Sequence, residues 1–240
     1  MHGKGTVNAM LLNSILAVIR GESVDPISVV VQLLATLVIV LLVLPFHEFA
    51  HGWVAYKLGD PTAKLAGRLT FNPLASVDPI GAAALLLVGF GWAKPVPVDS
   101  RYFKNSRSGM ALTALAGPVA NLLASYIGCL LFYAVALFAP SNTFVYYILV
   151  FLQYYAFINA VLAVFNLVPI PPLDGSKILA AFLSDRARYT FYQYQNILAT
   201  IGMIILFSSV LDGPISALQN TVFSGVSWLA SLPFRLFGVL

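Results

Sequence analysis

Leu44-Pro45-Phe46-His47-Glu48-Phe49-Ala50-His51 closes a run, Ile27 to Phe46, of twenty residues without a charge. A helix of that length spans the hydrocarbon core of a bilayer. On a helix the two histidines of the His-Glu-x-x-His word lie one above the other, about 6 Å apart along the axis, with Glu48 beside them. Imidazoles stacked in that way can share one zinc ion while the carboxylate serves as a base. The plain alternative is a chance match on an ordinary amphipathic helix. Against it, the chain has only three histidines, two of them here, and an ionisable group beside a membrane run is costly.

Composition sets the class. The 240 residues are 60% hydrophobic and 9% charged, with mean hydropathy +0.88, which excludes an ordinary soluble domain. The net charge of +4 comes from cations placed between apolar runs, so it reads as a topology signal and not as a nucleic-acid surface. The single cysteine, Cys129, excludes an intrachain disulfide framework and suits core packing inside an apolar run.

Outward from the zinc word, residues 7–19 are apolar but short and read as an interfacial helix. Asp25-Pro26 is a helix start, and Pro45 is expected to kink the first span just before His47, after which the helix runs to about Leu58. Residues 59–79 are a polar connection, and Ile80 to Phe90 is too short to cross and suits a re-entrant position. Gly91-Trp92-Ala93-Lys94-Pro95-Val96-Pro97-Val98-Asp99 has alternating prolines that favour an extended edge. Such an edge can receive another extended chain; a proline-stiffened loop is the alternative.

Between Arg107 and Asp174 lie sixty-six positions without a charge, broken at Ala139-Pro140-Ser141-Asn142. This spacing predicts a helical hairpin of two spans, 109–138 and 143–168. Gly117-Pro118 is expected to loosen the first, and Pro169, Pro171 and Pro172 to unwind the end of the second. Tyr189 to Leu211 reads as another span and 215–240 as a last apolar helix. Cations gather at 57–68, 94–107 and 177–188, which places those regions in the cytoplasm and the zinc word toward that leaflet. The divisions are 1–25, an amino-terminal interfacial segment; 26–210, a core; and 211–240, a carboxy-terminal helix.

A hydrolytic zinc site takes three protein ligands and leaves one position for water. His2 is terminal, Cys129 is deep in a span, and Glu22, Asp25, Asp60, Asp78, Asp99, Asp185 and Asp212 sit in polar connections. Asp174 remains: it follows an uncharged span and a proline break, where an unpaired carboxylate would be neutralised but zinc would hold it as the anion. Capping the helix after it is the alternative, compatible role. Glu48 is then the base. Asn166 and Asn121 are candidates to hydrogen-bond a scissile carbonyl or substrate backbone, with interhelical polar contact as the alternative.

His47-Glu48-Phe49-Ala50-His51, Gly117-Pro118-Val119-Ala120-Asn121 and Asn166-Leu167-Val168-Pro169-Ile170-Pro171-Pro172-Leu173-Asp174-Gly175 together resemble the motifs of the site-2 proteases, intramembrane zinc metalloproteases. The resemblance runs from about residue 30 to 210 and is to the compact prokaryotic form, without an insert for a PDZ domain or an appended CBS domain. It implies an all-α polytopic membrane protein, in which a three-helix catalytic core and flanking transmembrane helices carry a short extended or β membrane-associated segment near 92–98. It implies one Zn2+ per chain on His47, His51 and Asp174, Glu48 as base, and assistance from Asn166 and Asn121. The substrate it implies is a transmembrane protein, such as an anti-sigma factor or a remnant signal peptide, cut in or near its membrane helix. The activity would be multi-pass and membrane-embedded, with its site toward the cytoplasm. Two rivals from other classes are a transporter, which also carries buried polar groups and broken helices, and a catalytically inactive membrane scaffold.

Overall fold

The computed structural model describes residues 17, 20–21, 26–88, 93–208 and 210–238. The interfacial helix expected over 7–19 and the Gly91-Trp92 end of the extended segment therefore fall outside the described residues, residue 17 apart. What is described is helical, with no sheet and one isolated antiparallel bridge, Val77 to Ala93.

The chain opens with α1 (Pro26–Val38), passes through a π-helical turn (Ile39–Val43) and continues as α2 (Leu44–Lys57). The kink expected at Pro45 takes this form. Proline lacks the amide that would bond one turn back, and its ring crowds the carbonyl there, so the preceding turn widens. Short helices α3 (Thr62–Leu65), α4 (Pro73–Ser76) and α5 (Pro79–Val88) follow. Residues 93–99 then run extended, tied down by main-chain contacts that include Lys94 N–H to the Ser76 carbonyl at 2.8 Å, the Arg68 guanidinium to the Lys94 carbonyl at 2.6 Å, and Asp99 N–H to the Asp60 carboxylate at 2.7 Å.

Next come α6 (Ser106–Phe138) and α7 (Thr143–Asn166), 33 and 24 residues, each long and apolar enough to cross a membrane. Both start on an asparagine cap: Asn105 accepts from the Arg107 and Ser108 amides, and Asn142 from Val145. Pro118 leaves α6 unbroken. It forfeits one hydrogen bond, but α6 is braced by α2, α7, α8 (Asp174–Phe182) and α11 (Asp212–Leu236), which pack around it.

The two faces of α6 are sorted by size. Leu112, Leu115, Val119, Leu123, Ile127 and Leu131 are exposed, whereas Thr113, Gly117, Asn121, Ser125 and Gly128 are buried. Small residues let backbones approach closely: Ser125 Oγ donates to the Ala156 carbonyl at 2.7 Å, and Ala156, Ala160 and Ala163 of α7 are wholly buried. Cys129 is free and buried with Ala156 and Ala230, the packing role expected of it.

One expected span is corrected. Residues 189–211 do not form a single helix: α9 (Asp185–Gln193) and α10 (Gln195–Phe207) meet at a break at Tyr194. The polar stretch Gln193, Gln195, Asn196 has no apolar side to bury there, which leaves α10 only 13 residues long.

Candidate metal centre

Three elements converge on one point. α2 supplies His47 and His51 from successive turns of one face. The loop 167–173 folds back from α7 so that Asp174 becomes the first residue of α8, and Gly175 is what lets it do so: a β-carbon there would run into the Leu167 and Val168 carbonyls. The third element, α6, contributes no ligand but forms the back wall.

His47 Nε2 and His51 Nε2 are 3.0 Å apart, and Asp174 Oδ2 lies 3.3 Å and 3.1 Å from them. All three residues are buried, at 5%, 8% and 6% exposure, so water alone does not balance the carboxylate. The capping alternative for Asp174 is set aside, since Leu173 occupies the cap position and the α8 start has no side-chain cap bond.

Proton bookkeeping then asks for a cation. His51 Nδ1 is 2.6 Å from the Thr113 carbonyl, which can only accept, so Nδ1 carries the proton and Nε2 presents a lone pair. His47 Nδ1 donates in the same way to Asn121 Oδ1 at 3.3 Å. Two nitrogen lone pairs and a carboxylate oxygen therefore face one another. Their 3.0–3.3 Å spacing matches the edge of a tetrahedron with metal bonds of about 2.0 Å, close to 3.3 Å, so the donor set fits zinc. Gly117 completes the cradle, because a β-carbon there would stand 2.5 Å from His47 Nε2.

Glu48 lies between the histidines in sequence and is half-buried; its Oε2 accepts from the Val96 amide at 3.1 Å. Asn121 is wholly buried behind His47, with its Nδ2 unpartnered. Asn166 is half-buried near the end of α7, where its Nδ2 donates to the Leu162 carbonyl at 3.0 Å.

Comparison with known proteins supplies the family. The chain is 38% identical over 191 residues to YwhC of Bacillus subtilis (strain 168), named as a zinc metalloprotease, covering 78% of this chain and 84% of that one. A model of peptidase family M50 matches residues 133–209, the stretch that carries α7, the Asp174 loop and α8. This chain belongs to peptidase family M50. The resemblance to site-2 proteases is thereby upheld, and this M50 peptidase is a zinc metalloprotease. Two further relatives carry the same kind of name. Rip2 of Mycolicibacterium smegmatis is 30% identical over 178 residues, 72% of this chain and 66% of that one. MJ0392 of Methanocaldococcus jannaschii is 29% identical over 201 residues, 84% of this chain and 48% of that one. No solved structure matches the chain.

Sequence reasoning missed three parts of this M50 site. Thr113 acts through a main-chain oxygen, which no side-chain pattern reveals. Lys177, whose Nζ is 3.2 Å from Asp174 Oδ1, reads in sequence only as a topology cation. Asp60 accepts from the Thr62 amide at 2.9 Å, from Thr62 Oγ1 and from Asp99, and is wholly buried, not solvated as its loop position implied. A signal for the back wall was present: Thr113, Gly117 and Asn121 recur every four residues on one helix face.

Proposed function

We propose that this M50 peptidase is an intramembrane endopeptidase, cutting a peptide bond in or near the transmembrane helix of a protein substrate. The observation that carries this reading is the convergence of His47 Nε2, His51 Nε2 and Asp174 Oδ2 against an α6 whose outward face is large and apolar. A helix with small and polar residues inside and leucines outside is inverted relative to a soluble protein, which supports a lipid surround. The uncharged run 27–46 and the hairpin α6–α7 support a multi-pass arrangement, and the cations at 57–68, 94–107 and 177–188 support a site toward the cytoplasmic leaflet.

In this reading His47, His51 and Asp174 hold zinc, which supplies Lewis acidity and lowers the pKa of water to about 7. Glu48 takes the proton of the attacking water and passes it to the departing amine. The Val96 amide fixes one Glu48 oxygen, leaving the other for that proton. Asn121 and the Thr113 carbonyl keep both imidazoles in the tautomer that offers Nε2. Asn166 is assigned to the substrate carbonyl, and the extended 93–99 segment to the unwound substrate chain. Substrates of the anti-sigma-factor or remnant-signal-peptide kind fit this class, being single-pass helices.

The test is cleavage of a panel of single-pass membrane helices by the chain reconstituted in liposomes, with Glu48→Gln as the control. Zinc-dependent cleavage lost in Glu48→Gln supports the reading. Zinc binding without cleavage of any helix favours the inactive scaffold, and zinc-independent solute flux favours the transporter.

A further inference from the structure

Asp174 uses its two oxygens differently. Oδ2 faces both histidine nitrogens, at 3.3 Å and 3.1 Å, whereas Oδ1 points the other way, to Lys177 Nζ at 3.2 Å. Lys177 stands one helical turn after Asp174 on α8, with its side chain 42% exposed against 8% for that of the carboxylate. An ammonium with ready access to solvent thus lies along the open side of a nearly closed acid.

An exposed i, i+3 ion pair on a helix contributes little. This pair is different in kind, because the acid is one of the three groups that face the metal position. A free carboxylate beside a divalent ion can turn and offer both oxygens. With one oxygen held by a cation it offers the other alone, and the coordination stays open where a hydrolytic site needs water.

We propose that Lys177 is a positioning residue of the metal centre: by holding Asp174 Oδ1 it makes Asp174 a one-oxygen ligand. The proposal rests on the assignment of His47, His51 and Asp174 as ligands. It reassigns Lys177, which the sequence offers only as one of a cluster of cations with Arg186 and Arg188. Those two lie elsewhere: Arg188 pairs with Asp185 at 2.8 Å, and Arg186 lies on α9.

The experiment uses the whole chain purified in detergent and measures zinc affinity by chelator competition for wild type, Lys177→Met and Lys177→Arg. Loss of an outer partner of a metal ligand costs about 10–100-fold in affinity, and Lys177→Met is expected to fall in that range while Lys177→Arg stays near wild type. Cobalt(II) loading adds a spectroscopic readout: the strong visible absorption of a four-coordinate ion is expected in wild type and Lys177→Arg, and a weaker band in Lys177→Met as the second oxygen joins. Zinc affinity equal to or tighter than wild type in Lys177→Met, or a cobalt spectrum that does not change, overturns the proposal. Equal weakening in Met and Arg variants does so too. Should Lys177→Met fail to fold, Lys177→Ala is read against Lys177→Arg by the same criteria. A wild-type chain that takes up no zinc would overturn the ligand assignment itself, and this proposal with it.

Discussion

Gly117 lies so close to His47 that a β-carbon on it would stand 2.5 Å from His47 Nε2. The absence of a side chain at one position of α6 therefore leaves the room in which both imidazoles turn toward Asp174. Alanine is the better helix former by about 1 kcal/mol, which offsets part of the overpacking cost of about 1–3 kcal/mol, so Gly117→Ala is expected to leave the metal-free chain as helical as wild type and only slightly less heat-stable. Zinc affinity is expected to fall at least tenfold. Circular dichroism and metal analysis of the same sample check both halves.

Glu48→Gln keeps the shape of the side chain and loses the proton acceptor. Zinc stoichiometry is expected to stay at one per chain while turnover of a transmembrane substrate falls by about 10²–10⁴-fold. A variant that retains turnover would place the base elsewhere.

The two histidines are held by unlike partners, and that asymmetry is testable. Asn121→Leu removes the acceptor for His47 Nδ1 and is expected to weaken zinc binding by about 10–100-fold. Thr113→Val leaves the main-chain oxygen that His51 Nδ1 uses and is expected to leave affinity unchanged. Chelator competition on the two variants side by side reads the difference.

Asp60 joins the end of the zinc-word helix to the segment that holds Glu48: it accepts from Asp99, three residues beyond the Val96 amide that bonds Glu48. Removing a buried charged acceptor costs about 1.5–3 kcal/mol per hydrogen bond. Asp60→Ala is expected to speed amide exchange at Val96 and Asp99 and to lower turnover, with zinc content unaltered. Hydrogen exchange followed by mass spectrometry reports the first effect, and a fall in zinc content would contradict the second.

Arg107 at the start of α6 pairs with Asp185 at the start of α9, and the guanidinium holds that carboxyl below the usual carboxylate range. A lowered folded-state value means the contact contributes above the unfolded pKa and is lost only as pH falls through the folded one. The α6–α9 link is thus expected to outlast the protonation of an ordinary aspartate, at about pH 3.9. Arg107→Ala should return the Asp185 midpoint toward that value, read from its carboxyl-carbon NMR shift.

The meeting of His47, His51 and Asp174 was legible because the chemistry is scarce in this chain. With three histidines and a sixty-six-residue stretch free of charge, few side chains could meet a metal, and Asp174 stood alone at the right depth. The hairpin was legible because its apolar runs are long and its break is sharp. Three things were not. Whether Pro118 breaks α6 depends on the neighbours that brace it, not on the proline. Whether 189–211 is one helix depends on what the polar side chains about Tyr194 can reach. Asn121 carries the same amide whether it meets a substrate or an imidazole, and only the packing of α6 on α2 places it on the imidazole.

The widened turn at Ile39–Val43 fixes an angle as well as easing Pro45. Each residue of an α-helix advances the side chains by about 100° about the axis, and a π turn takes up about one residue more, so winding the same residues 39–43 as regular α-helix would rotate all that follows by roughly 100°. His47 and His51 would then swing together off the Thr113, Gly117 and Asn121 wall, their mutual spacing intact but their partners gone. The wider winding of 39–43 thus acts as a dial, set so that an otherwise ordinary rod delivers two imidazoles to the one side from which a carboxylate arrives.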